Sequence, residues 1–115
     1  MDFVQNEKLN KLVNKLIIKA KSRGFNITQT DAEMEIESAL LEYYNDRHYV
    51  PTEEKPFEDI YEGIILQLAL SAIAKYGAEG ENYHSEGGVI RTYDSAADYP
   101  LALTQKIIPL AKGLG

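Results

Sequence analysis

The stretch FEDIYEGIILQLALSAIAKY, residues 57–76, decides the fold class. Ile60, Ile64, Ile65, Leu66, Leu68, Ala69, Leu70, Ala72 and Ile73 leave almost no polar face after Glu62. A run of this length without interior proline, ended by Gly77, predicts a helix from about Phe57 to Tyr76. A helix apolar nearly all round sits at the centre of its fold or is partly covered by another subunit. Three helices of this size are expected to cover only part of it, a first pointer to oligomerisation.

Two amphipathic helices are expected upstream. Leu9, Leu12, Val13, Leu16, Ile17 and Ala20 follow i, i+3, i+4, i+7, i+8, i+11 and place one apolar face on a helix from about Asn6 to Ser22. Gly24 is the residue to stop it at its C-terminal cap. Thr30 and Glu33 match a capping box, opening a second helix whose Ala32, Ile36, Ala39, Leu40, Tyr43 and Tyr44 continue at helical spacing to about Arg47. YVPTEEKP (residues 49–56) then reads as a surface connection. Short connections favour antiparallel neighbours, so residues 9–20, 32–44 and 60–73 are predicted to pack as an antiparallel bundle.

Downstream the pattern changes. YGAEGENYHSEGGVIRTYD (76–94) contains Gly77, Gly80, Gly87 and Gly88, three tyrosines and little to bury. A short hairpin across Gly87-Gly88 is the one place where strand pairing is expected. Pro100 then suits the first position of a short fourth helix, with Leu101, Leu103, Ile107 and Ile108 as its apolar side and Pro109 as its stop. The expected organisation is all-α and single-domain: a helical core over 6–76, a long arm over 77–98, and a C-terminal helix and tail over 99–115.

Charge and composition narrow the function classes. The chain has 115 residues and net charge −6. Residues 1–23 carry six basic and two acidic side chains, net +4; residues 24–115 carry six basic and sixteen acidic, net −10. An acidic body repels nucleic acid and argues against sequence-specific DNA binding. Lys8, Lys11, Lys15 and Lys19 form a basic stripe opposite the apolar face of the first helix, either solvated or a candidate interface. No apolar run is long enough for a transmembrane helix, and the N-terminus lacks the pattern of a signal peptide. The absence of cysteine removes disulfides and thiolate metal sites. An intracellular, soluble protein is the expectation.

Little in the sequence points to chemistry. Tyr83, His84, Ser85 and Glu86 are adjacent, whereas a nucleophile and its base are assembled from different parts of a fold. Neither a G-x-S-x-G elbow nor an H-E-x-x-H pair is present. GAEGE follows a helix, lacks a lysine and carries two glutamates, so it is no phosphate loop. Glu33, Glu35 and Glu37 alternate and spread around their helix, predicting a solvated acidic face rather than a metal site. His48 is expected as a partly exposed residue at a helix end. No catalytic residue, cofactor or metal ligand is predicted.

The arm and the residues after it have a more specific likeness. Gly77-Ala78-Glu79-Gly80-Glu81, His84-Ser85-Glu86-Gly87-Gly88, Arg91-Thr92-Tyr93, Tyr99-Pro100 and Ile108-Pro109 together resemble the C-terminal signature of tailed-phage head–tail connector (adaptor) proteins. The likeness spans about 35 residues; over residues 1–75 only length and helix order agree. Tyr83 is bulkier than the residue expected before His84. The resemblance implies a structural virion protein without catalytic activity or cofactor. It implies a homo-oligomeric ring, usually a dodecamer, attached to the portal protein, through which DNA passes without sequence-specific binding. The ring would extend the DNA channel and offer a platform to a tail or stopper (head-completion) protein. The location implied is the head–tail interface of the virion, with the host cytoplasm during assembly. Expected interface residues are Gly77, Glu79, Gly80, Glu81, His84, Glu86, Gly87, Gly88, Arg91, Tyr93, Tyr99 and Pro100, with Lys8, Lys11, Lys15 and Lys19 as a second set. The competing reading is a small helical protein-binding regulator acting as a monomer or dimer.

Overall fold

Asn6 accepts the Leu9 N–H through its side chain at 3.1 Å and so opens the first helix, α1 (Glu7–Ser22), of the computed structural model. The structure describes residues 6–78 and 99–110. After α1 come α2 (Gln29–Arg47), a 3-10 turn (Asp59–Tyr61), α3 (Glu62–Ala78) and the short α4 (Leu101–Thr104). Among the described residues every regular element is helical, as the periodicity predicts. The expected hairpin at Gly87-Gly88 lies outside the described residues.

Both ends of the first connection are closed by local chemistry. Gly24 takes φ 88°, and the Gly24 and Phe25 N–H groups donate to Lys21 and Ala20 carbonyls at 3.0 and 2.9 Å. These two bonds form a Schellman motif around a left-handed glycine. The capping box of α2 is Thr28 with Asp31, not Thr30 with Glu33 as the spacing predicts. Thr28 Oγ1 accepts the Asp31 N–H at 3.0 Å, and Asp31 Oδ2 accepts the Thr28 N–H at 3.3 Å. The two candidate boxes overlap in TQTDAE, and the earlier one lengthens α2 while Ile27 packs against the core.

The three long helices pack on one another pairwise. The ends that meet fix their directions. Lys8 and Lys15 of α1 reach Asp59 in the 3-10 turn and Glu62 at the start of α3, while Tyr43 and Arg47 near the end of α2 bond Glu58. The bundle therefore runs up, down, up, with α2 antiparallel to both partners. Its core joins Leu9, Leu12, Val13 and Leu16 of α1, Ile36, Leu40 and Tyr43 of α2, and Ile65, Leu68 and Ile73 of α3. Each such aliphatic side chain stabilises by about 1.5–3 kcal/mol when fully buried.

The third helix departs from expectation in two ways. Phe57 is buried ahead of the helix, a 3-10 turn intervenes, and Gly77 falls inside α3 rather than ending it. Ile60 belongs to the turn and is 79% exposed. Three helices are expected to cover only part of the apolar run, yet Leu66, Leu70 and Ala72 are already buried at 5%, 4% and 6% exposure. The over-apolar helix is covered in the single chain, so it gives no argument for oligomerisation. At the C-terminal end, Ile107 is buried and Leu103 half-buried, but Leu101 and Ile108 face solvent. The predicted apolar side of α4 is thus only half formed, because the helix is one turn long and the chain leaves it before Ile107.

Candidate interaction surfaces

At the end of the bundle where α2 stops, Arg47 organises a polar hub. Its guanidinium grips Glu58 through two bonds, Nε to Oε1 at 2.8 Å and Nη2 to Oε2 at 3.0 Å, the bidentate geometry that suits arginine and carboxylate. Its third nitrogen, Nη1, donates to the Ile108 carbonyl at 2.6 Å, and its own carbonyl accepts the Leu110 N–H at 2.8 Å. Tyr43 donates to Glu58 Oε1 at 2.6 Å, and the Tyr61 hydroxyl accepts the Ile108 N–H at 3.2 Å. The Arg47 guanidinium also lies 5.0 Å from the centre of the Tyr61 ring. Hydrogen bonds from Arg47 hold the Glu58 carboxyl below its ordinary pKa, whereas burial raises the Tyr43 phenol well above its own. The hub therefore ties residues 108–110 to α2 and to the 3-10 turn. Nothing in the spacing of Arg47, Glu58 and Ile108 announces it, since the three come from different segments.

The lysine stripe is partly used within the chain. Lys8 meets Asp59 at 3.3 Å, Lys15 meets Glu62 at 2.8 Å, and Lys11 meets Glu7 one turn away at 3.4 Å. Lys19 is exposed. Two of the four candidate interface lysines thus reach across to acidic partners in the 3-10 turn and at the start of α3.

The acidic stretch of α2 is not a uniformly solvated face. Asp31 and Glu35 are 0% and 3% exposed, and Ser38 is buried beside them. Glu37 is exposed and Glu33 half-buried. Asp31 is drawn inward by its capping role at the positive end of the helix. Further along, burial raises the Glu42 carboxyl to about 7, and the neighbouring Asp46 side chain adds to the effect. His48 is the exposed C-cap of α2, in the left-handed region at φ 60°, with its N–H on the Tyr44 carbonyl.

A groove of about 720 Å³ opens beside the start of α1. Leu9, Tyr44, Pro51 and Pro56 supply its apolar lining, and Glu7, Glu53, Glu54 and Lys8 its charges. Leu9 and Pro56 are buried and Tyr44 half-buried, so these three form the base, while Pro51, Glu53 and Glu54 are exposed at the mouth. The sequence signal for it is no more than the proline pair in the connection.

Of the interface residues expected from the resemblance, Glu79, Gly80, Glu81, His84, Glu86, Gly87, Gly88, Arg91 and Tyr93 lie outside the described residues. Gly77 lies within α3. Tyr99 is 8% exposed and belongs to the core of its own chain, so it does not present a contact surface there. Pro100 is the exposed N-cap of α4 rather than its first residue. Among the described residues, no three His, Asp or Glu side chains gather to hold a metal ion, and no helix is long and apolar enough to cross a membrane. No known protein family, characterised protein or solved structure matches the chain.

Proposed function

We propose that this chain is a head–tail connector that forms a ring on a phage portal, extends the DNA channel and carries the tail or stopper protein. The observation behind the reading is the signature in residues 77–109, with its ordered GAEGE, HSEGG, RTY, YP and IP elements. It comes after a bundle of three long helices and leads into a short fourth, the element order that the likeness calls for. An acidic body suits a conduit past which DNA slides without sticking. Residues 77–98 act as the assembly arm, with Arg91 and Tyr93 as its contacts to a neighbour or to the portal. The test is co-sedimentation with the purified portal: the wild-type chain should bind in a ring-sized stoichiometry, and no binding under any salt condition would end the proposal.

One observation favours the second reading, a monomeric or dimeric protein-binding regulator. Among the described residues of α3, Ile65, Leu66, Leu68, Ala69, Leu70, Ala72 and Ile73 are all buried, so this helix does not demand a ring to cover it. A chain that stays monomeric or dimeric beside the portal, yet captures another phage or host protein, would fit that reading instead.

A further inference from the structure

We propose that the groove beside the α1 N-terminus receives the C-terminal segment Lys106–Leu110 of a second copy of this chain. The inference rests on the ring reading and concerns which surfaces meet inside the ring.

The segment is built to be presented. After α4 the chain runs on without helix, and its side chains divide by exposure: Ile107 is 4% exposed, Ile108 65% and Leu110 39%. Ile107 holds one face to the bundle while Ile108 and Leu110, two apart, point outward. The backbone between them is fixed by the Ile108 carbonyl on Arg47, the Ile108 N–H on Tyr61 and the Leu110 N–H on Arg47. Exposed apolar side chains on a pinned backbone have already lost much of the entropy that binding would otherwise cost.

The groove complements it. Leu9, Tyr44 and Pro56 form its base, and its volume of about 720 Å³ falls within the roughly 300–1,000 Å³ usual for recognition pockets. Its mouth carries Glu53 and Glu54, neither in an ion pair among the described residues, and the segment carries Lys106 in the same condition. Charge at the mouth sets register while Ile108 and Leu110 supply the buried area. The residues that pin the segment, Arg47 and Tyr61, do not line the groove, so a chain holding its own segment this way leaves its own groove to another copy. Groove and segment are two different patches, and a contact of that kind repeats around a closed ring.

The chain has no cysteine, which makes disulfide trapping clean. Thr52→Cys marks the groove and Ile108→Cys the segment; each full-length variant is first checked for an unchanged melting temperature. The two are mixed in equal amounts, alone and with portal, and oxidised with glutathione disulfide. The expected result is a mixed disulfide several-fold above the self-linked product of either variant, suppressed by Glu53→Lys with Glu54→Lys. No excess, self-linkage through Ile108→Cys, or an intrachain link in the doubly substituted protein would overturn the proposal. Imaging the same mixtures separates the two levels. Rings on the portal without the mixed disulfide would discard this interface and keep the ring, whereas absence of rings would discard both.

Discussion

Gly24 and His48 occupy the same left-handed region at two helix ends, with opposite consequences. At Gly24 no atom stands within 4 Å of an added Cβ, so the cost of Gly24→Ala is backbone strain alone, about 1–2 kcal/mol. Calorimetry should show a melting temperature lower by about 4 °C or more. His48→Gly should move it the other way, by up to roughly 1 kcal/mol, because the imidazole is exposed and the strain is relieved. The carboxyls give a second residue-level test. Glu42 is raised from 4.5 to about 7, so between those values the folded chain holds a proton that the unfolded chain has released. Stability from this site is present below pH 4.5 and falls as pH rises toward 7. Glu58 works in reverse: its carboxyl is depressed, and its contribution is lost as pH falls through its folded value. Glu42→Gln should flatten the melting temperature across pH 5 to 7 and raise it at pH 8 relative to wild type. An unchanged slope would remove Glu42 from the account. The glycine was legible in the sequence because a stop after an apolar periodic run has few solutions. Glu42 was not, since its environment depends on what packs over α2.

Among the helices, α1 was the most legible, because its apolar and basic residues separate cleanly at helical spacing. The start of α2 was not, because TQTDAE holds two overlapping capping boxes and the packing of Ile27 selects between them. The burial of Asp31 and Glu35 escapes any reading that assigns every carboxylate to solvent. The third helix is evident from its apolar run, but its full coverage depends on how tightly three helices and the C-terminal segment enclose it. Partners for Lys8 and Lys15 come from Asp59 and Glu62, more than forty residues away, a pairing that no local pattern encodes. Replacing Lys8, Lys11, Lys15 and Lys19 together with glutamine should leave the helical circular-dichroism signal intact. Each half-exposed pair is worth about 0–1 kcal/mol, so the melting temperature should fall by a few degrees at low salt, and by less at high salt. A loss of helicity would show that the stripe is structural. Arg47→Ala should release the C-terminal segment, seen as faster hydrogen exchange at the Leu110 N–H while amides of the α3 core keep their protection.

For the whole molecule, the fold and the proposed function rest on different parts of the chain. The bundle is set by residues 6–78, whereas the likeness to connectors is carried by residues 77–109, most of whose interface candidates lie beyond the described residues. The proposed function therefore draws on the sequence more than on the fold, since a helical bundle of this kind serves many roles. If residues 77–98 are an assembly arm, Arg91→Ala or Tyr93→Ala should weaken attachment to the portal while leaving the melting temperature of the free chain unchanged. A destabilised chain that still attaches normally would place those side chains in the fold instead. Cryo-electron microscopy of the purified chain mixed with a portal protein, the partner proposed for it, tests the proposed ring directly. The expected result is a ring of this chain seated on the portal, with a channel continuous with the portal's own. Bare portals beside free monomers or dimers, at concentrations well above those of assembly, would contradict it.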